Sequence, residues 1–288
     1  MSKTSTKKQI NSKKFSSTDW FDRIWLQEST IKQLKFLRKM IYLYLEITGL
    51  LSRFINKYQE NDKQYLFIEL GCGASSFLPY LAKKYNNFHL FGIDKSLMGC
   101  KLAFINNDNL NSTNNIIYGD ILNNPIKPGR FDIVFSFGLI EHFDQPDTIL
   151  KKHIDLLKPG GLLICIIPNV CGLQGKIFDL KIWRPKNLPS KYLNGWIGGM
   201  KLISINDLKT WLTDIGLKDI KVEPKGGIYP FLIMESYHPK SQPLSYKLFL
   251  IIYRYLLFLP IIVINLLFLF RLNSLYFSPL IVATGIKN

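Results

Sequence analysis

The sequence predicts an α/β fold built on a mostly parallel sheet, and three observations indicate it. Short apolar runs alternate with helical patterns after residue 61, which is the arrangement of strands joined by crossover helices. The first run leads directly into a glycine turn and a helix start, in the sequence YLFIELGCGASS at 65–76. The predicted strands also end on polar or glycine residues, and in an open α/β sheet that edge binds ligands.

The glycine turn after the first strand indicates a nucleotide-shaped pocket. Leu66–Leu70 is an apolar run whose length suits a strand that is covered on both faces. Gly71 and Gly73 let the backbone turn sharply and approach a ligand, since neither residue carries a Cβ. Ser75 or Ser76 is placed to cap the following helix. A strand, a bare turn and a helix N-terminus together predict a site for a nucleotide-like ligand.

Two segments precede this domain. Residues 1–18 contain five lysines and no acid, which predicts a disordered basic tail without the apolar core of a signal peptide. In residues 19–60 apolar side chains recur mostly at spacings of three and four, so we predict one or two amphipathic helices. Such helices cap a sheet or form a substrate lid, and with lysines along another face they can also contact a membrane.

Seven strands and four helices are predicted for the domain at 61–288. The strands are expected at Leu66–Leu70, His89–Ile93, Ile116–Tyr118, Phe131–Phe135, Leu162–Ile167, Leu217–Val222 and Pro279–Ile286. The helices are expected at Ser76–Lys84, Leu97–Ile105, Thr148–Leu157 and Ile205–Thr213. Ser204 is expected to cap the last of these helices, and Gly216 to end it.

The connection at 169–203 is too long, and too rich in glycine, proline and aromatic residues, to be a simple loop. We therefore predict a lid over the ligand site. Its aromatic residues either face the substrate or pack the lid onto the domain, and they are Phe178, Trp183, Tyr192 and Trp196.

The segment at 246–272 is almost wholly apolar. Its longest charge-free run, 255–270, has 16 residues, whereas about 20 are needed to span a bilayer as a helix. A last strand must also rejoin the sheet after it. We predict a hydrophobic helical insertion of two short helices, broken near Pro260, that dip into one leaflet and return. A helical hairpin buried against the domain or in a dimer is the alternative.

The net charge of +16 lies outside the segment that holds the glycine turn. Residues 61–168 contain ten basic and ten acidic residues, so the excess belongs to the two ends of the chain. A neutral core with basic, apolar appendages points to an anionic membrane surface more than to a nucleic-acid duplex. An AT-rich genome, which makes lysine, asparagine and isoleucine abundant, explains the charge equally well.

The four cysteines form no CxxC pair, and Cys72 lies within the glycine turn, where a disulfide would block a ligand. This pattern predicts a reduced, cytoplasmic protein without a structural metal site.

The motifs around the turn distinguish between two kinds of nucleotide site. A dinucleotide fingerprint requires a third glycine at position 76, where this chain has Ser76, and Glu69 stands two residues before the first glycine. With four later motifs, the chain resembles the class I S-adenosylmethionine-dependent methyltransferases. The matching pieces are ELGCG at 69–73, GID at 92–94, GDI at 119–121, FDIVFSFGLIEHFDQP at 131–146 and LKPGG at 157–161.

The resemblance implies a Rossmann-like seven-stranded methyltransferase sheet, mostly parallel with an antiparallel last strand, and S-adenosylmethionine as cofactor. It implies that Glu69 organises the turn and meets the cofactor's amino group, that Asp94 accepts both ribose hydroxyls, and that Asp120 takes the adenine amino group. The further cofactor contacts that it implies are Gly71, Cys72, Gly73, Lys95, Ile121, Phe137 and Gly138, the last two near the sulfonium.

His142 is the histidine of these motifs that is expected to face the cleft. A base helps methyl transfer to a hydroxyl, because the proton must leave as the bond forms, so His142 is a candidate general base. Shaping of the pocket is its alternative role. Related enzymes often carry an aromatic or histidine-containing stretch before the helix at 205–213, but this chain has GGMK at 198–201. The identity of the acceptor therefore stays open.

We interpret the sequence as a cytoplasmic methyltransferase, peripheral on the inner face of the membrane. It is expected to O-methylate a hydrophobic or lipid-linked small molecule, such as a quinone precursor or a polyprenyl-linked sugar. Membrane contact is expected through 246–272 and the N-terminal helices. One alternative is a soluble acceptor with the insertion used for dimerisation, and another is a non-catalytic membrane-associated binding protein. Nucleic acid is not an expected partner, because the Asn/Asp-Pro-Pro-Tyr type of motif does not follow strand four.

Overall fold

The computed structural model describes residues 30–60, 62–108, 115–123, 126–172, 196–197, 200–227, 248, 252, 273–276 and 278–288. The predicted tail at 1–18 and most of the predicted lid at 169–203 lie outside these residues. So does the predicted hydrophobic insertion at 246–272, apart from two positions.

Five α-helices and nine strands make up the described part of the chain. The helices are α1 (Thr30–Tyr58), α2 (Phe77–Lys84), α3 (Leu97–Asp108), α4 (Pro146–Leu156) and α5 (Ile205–Asp214). The strands are β1 (Tyr65–Leu70), β2 (Phe88–Asp94), β3 (Asn115–Tyr118), β4 (Phe131–Phe137), β5 (Leu157–Pro168), β6 (Trp196–Ile197), β7 (Met200–Lys201), β8 (Leu217–Lys225) and β9 (Leu280–Lys287). Short 3₁₀ helices at Ile121–Asn123 and Ile140–His142 follow β3 and β4.

Seven strands form one sheet in the order β3-β2-β1-β4-β5-β9-β8. The pairs from β3 to β5 are parallel, whereas β9 runs antiparallel to both β5 and β8. This confirms the predicted seven-stranded, mostly parallel sheet with an antiparallel last strand. The strand order reverses between β1 and β4. At such a switch point the loops that follow the two strands diverge and leave a crevice at the carboxyl edge of the sheet.

The side chains of β1 alternate between two cores. Ile68 and Leu70 belong to the core that includes α4 and α5, while Tyr65 and Phe67 belong to the core that includes α1 and α2. All four are at most 1% exposed. Because both faces of the sheet are covered, its central strands carry a continuous apolar run instead of an alternating one.

Helix α1 is the N-terminal cap that the sequence predicts. Five of its apolar residues are at most 1% exposed and join one core, and they are Leu43, Ile47, Leu50, Leu51 and Ile55. Their spacing places them on one helical face. The Tyr58 hydroxyl donates to the carbonyl oxygen of Gly160 at 3.0 Å, which holds the end of the helix against the β5 bulge described next. Within the described residues, no helix combines the length and apolar character needed to cross a bilayer.

Strand β5 begins five residues before its predicted start at Leu162. Phe131 pairs with Leu157, but Ile133 pairs with Leu162, so residues 158–161 form a bulge. A bulge inserts residues into one strand without ending its hydrogen-bonded pairing with the next strand. Sequence periodicity does not reveal such an insertion. Helix α4 also begins early, at Pro146, because proline at the first helical position has its φ already fixed for a helix.

Candidate active site

The glycine turn joins the ends of three strands. Gly71 and Gly73 have φ of +69° and +49°, and the backbone amides of Gly71 and Cys72 donate to the carbonyl oxygen of Ile93 at 2.8 and 3.1 Å. A Cβ at Gly71 would lie 2.7 Å from Cδ1 of Leu139, which follows β4. Glycine is therefore required by conformation and by space. The turn contacts the end of β2 and the segment after β4, so these elements form one site at the switch point.

Asp94 is fixed at the carboxyl end of β2. Its Oδ2 accepts from the backbone amide of Gly73 and its Oδ1 from that of Ser96, both at 2.7 Å. Each oxygen of a carboxylate can accept more than one hydrogen bond, so these contacts position the group and are compatible with bonds from two ribose hydroxyls. The structure thus places Asp94 beside the turn, as the prediction requires.

Glu69 is buried beneath the turn, with 3% of its surface exposed. Its Oε2 accepts from the Ser75 hydroxyl at 3.0 Å, and that hydroxyl oxygen accepts from the Leu78 amide at 3.4 Å. Ser75 therefore caps α2, while Ser76 makes no such side-chain bond. Burial raises the pKa of Glu69 to about 8, a rise that the Ser75 hydrogen bond opposes and the Asp94 charge reinforces. The group is thus mainly neutral at pH 7.

Two predicted cofactor residues pair with each other. Lys95 Nζ lies 3.2 Å from Asp120 Oδ2, and both side chains are partly exposed. Asp120 Oδ1 also accepts from the Leu122 amide at 3.0 Å. An ion pair of this exposure contributes little to stability, so it can rearrange around a ligand at small free-energy cost. Ile121, which follows, is buried at the start of its 3₁₀ helix.

The side chain of Cys72 packs away from the crevice. Its Sγ lies 2.9 Å from the position that a Cβ at Gly92 would occupy, in the middle of β2. The thiol is buried, and burial raises its pKa well above the ordinary value. The cofactor contact expected of Cys72 would therefore come from its backbone.

The end of β4 carries the remaining predicted residues. The Phe137 ring meets that of Phe77 edge-on, with centroids 5.8 Å apart. Gly138 has φ of +65°, and its amide donates to the carbonyl oxygen of Ile166 at 2.9 Å. His142 lies at the end of the 3₁₀ helix that follows, with 14% of its side chain exposed. The structure thus brings these residues to the same edge as the glycine turn.

Glu141 is a candidate that the sequence analysis did not assign. It is 1% exposed, and no other described residue donates a hydrogen bond to its carboxyl oxygens. His142 Nε2 lies 3.9 Å from its Oε1, which is beyond hydrogen-bond range. Burial raises its pKa to about 8, against the effect of its own backbone amide. In the sequence, the only indication of Glu141 is an acid beside His142 within the matched motif. Burial and the lack of other hydrogen-bond partners are not visible in a sequence.

These residues fit S-adenosylmethionine. A glycine turn in which a Cβ at Gly71 would collide with Leu139 lies beside a fixed carboxylate, which suits ribose hydroxyls. Glu69 is a buried acid beneath the same turn, and a carboxyl group there suits the cationic amino group of this cofactor.

A sequence profile for the methyltransferase domain matches residues 38–222. Norajmaline N-methyltransferase from Rauvolfia serpentina is 26% identical over 192 residues, which cover 64% of this chain and 65% of that protein. Ubiquinone biosynthesis O-methyltransferase from Maricaulis maris is 25% identical over 158 residues, or 52% of this chain and 58% of that one. The chain therefore spans less than two thirds of the length of these two relatives.

The fold also resembles solved structures. A methyltransferase from Thermotoga maritima, described as S-adenosylmethionine-dependent and a possible histamine N-methyltransferase, superposes with a TM-score of 0.57 at 17% identity. The match covers 93% of this chain and 98% of that one. At this identity the likeness shows the fold alone.

Proposed function

The chain belongs to the class I S-adenosylmethionine-dependent methyltransferases, and we propose that it methylates a hydrophobic or lipid-linked small molecule at a membrane surface. When bound, the cofactor supplies an electrophilic methyl group on a sulfonium. In such a transfer the protein contributes mainly by positioning, because the leaving group is already good. Asp94 would hold the ribose hydroxyls and Glu69 the amino group, while the glycine turn admits the cofactor close to the backbone.

One observation carries the choice of acceptor: the connection 228–272, which contains the hydrophobic segment, begins and ends at the edge of the sheet that holds the site. Strand β8 runs parallel to β5, since each is antiparallel to β9, so its last residue Lys225 lies at the carboxyl edge. The Gly227 amide then donates to the side-chain oxygen of Asn273 at 3.2 Å. The chain therefore departs after 227 and returns at 273 at nearly the same point.

The return is fastened to the end of β5. The side-chain amide of Asn169 donates to the carbonyl oxygens of Leu275 and Ser278 at 2.8 and 2.9 Å. A Cβ at Gly172 would lie 2.8 Å from the Leu275 carbonyl oxygen, so the backbones are closely packed there. The connection predicted to be a lid also continues from this residue. Both connections thus start beside the crevice in which an acceptor would bind.

Charge and similarity support the same proposal. Residues 243–288 contain four basic residues and no acid, which favours an anionic lipid surface next to the apolar segment. One relative is named for ubiquinone biosynthesis and for transfer to oxygen, which supports a hydrophobic acceptor methylated on oxygen. A peripheral position on the inner face of the membrane follows from the proposal and remains a prediction.

Methyl-labelled S-adenosylmethionine tests this function. The full-length protein is incubated with the labelled cofactor and either a membrane lipid extract or an aqueous metabolite extract of its source. We expect label to enter the organic phase of the lipid reaction, and much less label with an Asp94→Ala variant. Label that enters only water-soluble products would establish the soluble-acceptor alternative. No transfer to either extract, with cofactor bound, would support the non-catalytic alternative.

A further inference from the structure

We propose that Gly99, in the first turn of α3, is a positioning residue of the cofactor site. It braces the glycine turn against Asp94, and so aligns the part of the cofactor that lies over the turn with the ribose that Asp94 would hold. This inference rests on the proposed function, since it concerns the cofactor of that reaction. The sequence analysis assigned no role to Gly99 or to any other residue of α3.

The stability of a helix does not explain a glycine at position 99. Gly99 is the third residue of α3 and has an ordinary helical backbone, unlike the left-handed backbone of Gly71 and Gly73. Glycine is less favourable than alanine inside a helix, because it loses more backbone entropy on folding. Alanine is therefore expected at this position unless its side chain meets an obstacle.

The obstacle is the backbone of the glycine turn. A Cβ at Gly99 would lie 3.2 Å from both the Cα and the carbonyl carbon of Gly73. Carbon atoms that are not bonded to each other pack at about 3.5–4.0 Å, so an added methyl group would push on the turn. Backbone atoms cannot rotate aside as the end of a long side chain can. Glycine at position 99 thus allows α3 to lie directly against the turn.

Asp94 and Ser96 close a ring of contacts around this point. The Gly73 amide donates to Asp94 Oδ2, and the Ser96 amide donates to Asp94 Oδ1, both at 2.7 Å. The Ser96 hydroxyl oxygen accepts from the Gly99 amide at 2.9 Å and so caps α3. Ser96 is only 1% exposed, so this connection is shielded from water. The start of α3 is therefore bonded to the segment that fixes the carboxylate and packed on the glycine turn.

A second contact from α3 supports the brace. Asn106 Nδ2 donates to the carbonyl oxygen of Ala74, the residue after Gly73, at 2.9 Å. Gly99 and Asn106 are seven residues apart, which is about two helical turns, so they lie on one face of α3. This face contacts two successive residues of the turn, and the helix therefore opposes a displacement of the turn.

The brace acts between the two halves of the cofactor. The glycine turn would lie against the methionine part, whereas Asp94 would hold the ribose. A methyl group at position 99 would displace the turn, while the Ser96 amide would still position Asp94. The change should therefore weaken ligands that reach the turn and spare ligands that reach only Asp94.

Two ligands separate these halves. S-adenosylhomocysteine carries the amino-acid part of the cofactor, whereas methylthioadenosine keeps only the adenosine and the thioether. Both are titrated calorimetrically into the full-length wild type and a Gly99→Ala variant. We expect the variant to bind S-adenosylhomocysteine about 3- to 10-fold more weakly, which corresponds to about one hydrogen bond, and to bind methylthioadenosine like the wild type. Lys101→Gly is the control, because it weakens the same helix at an exposed position and should leave both affinities unchanged.

A second measurement uses the wild type alone. Amide exchange followed residue by residue should show that S-adenosylhomocysteine slows the Gly99 amide together with the Gly73 amide. The Asp207 amide is the control, since it makes the same capping bond to Ser204 at 3.1 Å, on the helix α5 that packs against β8 at the far edge of the sheet.

Three results would overturn this inference alone. They are an unchanged affinity of Gly99→Ala for S-adenosylhomocysteine, an equal loss of affinity for both ligands, and a Gly99 amide whose exchange does not respond to S-adenosylhomocysteine. A wild-type protein that does not bind S-adenosylhomocysteine would overturn the proposed function together with it.

Discussion

Two buried acids, Glu69 and Glu141, make the stability of the fold depend on pH. Burial raises the pKa of Glu69 and of Glu141 from 4.5 to about 8. Between those values the folded state binds more protons than the unfolded state, so the free energy of unfolding falls as pH rises from 4.5 to 8. Above pH 8 this loss is complete.

Replacing Glu141 by glutamine should remove part of this pH dependence, because the amide cannot ionise. We expect the free energy of unfolding of the variant to gain about 3–4 kcal/mol on that of the wild type between pH 5 and pH 8, since one pKa unit corresponds to about 1.4 kcal/mol. Urea unfolding at both pH values measures the effect. Glu60→Gln, at an exposed acid, is the control. Parallel pH profiles for wild type and Glu141→Gln would contradict the explanation.

Individual site residues differed in how far the sequence revealed them. The positions of Asp94 and of the glycines could be predicted from the sequence, because they are determined by the end of a strand and by a glycine turn. The pairing of Lys95 with Asp120 could not, because it depends on how two loops meet in space. Glu141 stood in a matched motif, but its burial is not visible in the sequence.

At the scale of elements, the cap helix α1 is part of the main core and not an appendage. Leu51 is fully buried and belongs to the same core as Phe67 and Phe135 of the central strands. The helix was predicted from its apolar spacing, but the sequence did not show which face of the sheet it covers. The structure places it on the face opposite α4 and α5.

A Leu51→Ala variant should therefore destabilise the whole domain. Removing a buried leucine side chain costs about 2–5 kcal/mol, through lost apolar contacts and the cavity left behind. Arg53→Ala, an exposed position on the same helix, should change stability by less than about 0.5 kcal/mol. Denaturant unfolding followed by a probe of the sheet compares the two. If Leu51→Ala melted α1 alone and left the unfolding of the sheet unchanged, the helix would be a separate unit.

The sequence predicted which strands form more accurately than it predicted where each strand begins and ends. Apolar runs predicted the strands of the main sheet because burial on both faces demands them. The β5 bulge extended its strand beyond the predicted start, since ladder hydrogen bonds continue where periodicity is interrupted. The two-residue strands β6 and β7 carry no periodic signal.

For the whole molecule, the decisive feature is the edge of the sheet at which the connection 228–272, which contains the hydrophobic segment, begins and ends. Sequence alone gives the segment's apolar character and length. Only the antiparallel insertion of β9 between β5 and β8 shows that the connection containing it begins and ends at the carboxyl edge. This geometry supports the proposal that the acceptor is methylated at a membrane surface.

Excision of this segment tests that connection. Residues 230–270 are replaced by a short glycine-serine linker, which suffices because Gly227 and Asn273 are in contact. We expect the full-length protein to float with anionic vesicles and to dissociate as salt increases, whereas the excised protein stays in the soluble fraction. Both should bind S-adenosylmethionine, since the glycine turn and Asp94 are untouched. Identical behaviour of the two proteins in flotation would remove the membrane from the proposal.

The most direct test of the central claim is the binding of S-adenosylmethionine at the switch point between β1 and β4. Calorimetric titration of the full-length protein should show one saturable site, with a dissociation constant on the order of micromolar. Asp94→Ala should weaken binding about 10- to 100-fold, because hydrogen bonds to a charged group are lost. Asp214→Asn, at an exposed acid at the end of α5, should bind like the wild type. No binding, or equal affinity with Asp94→Ala, would contradict the account.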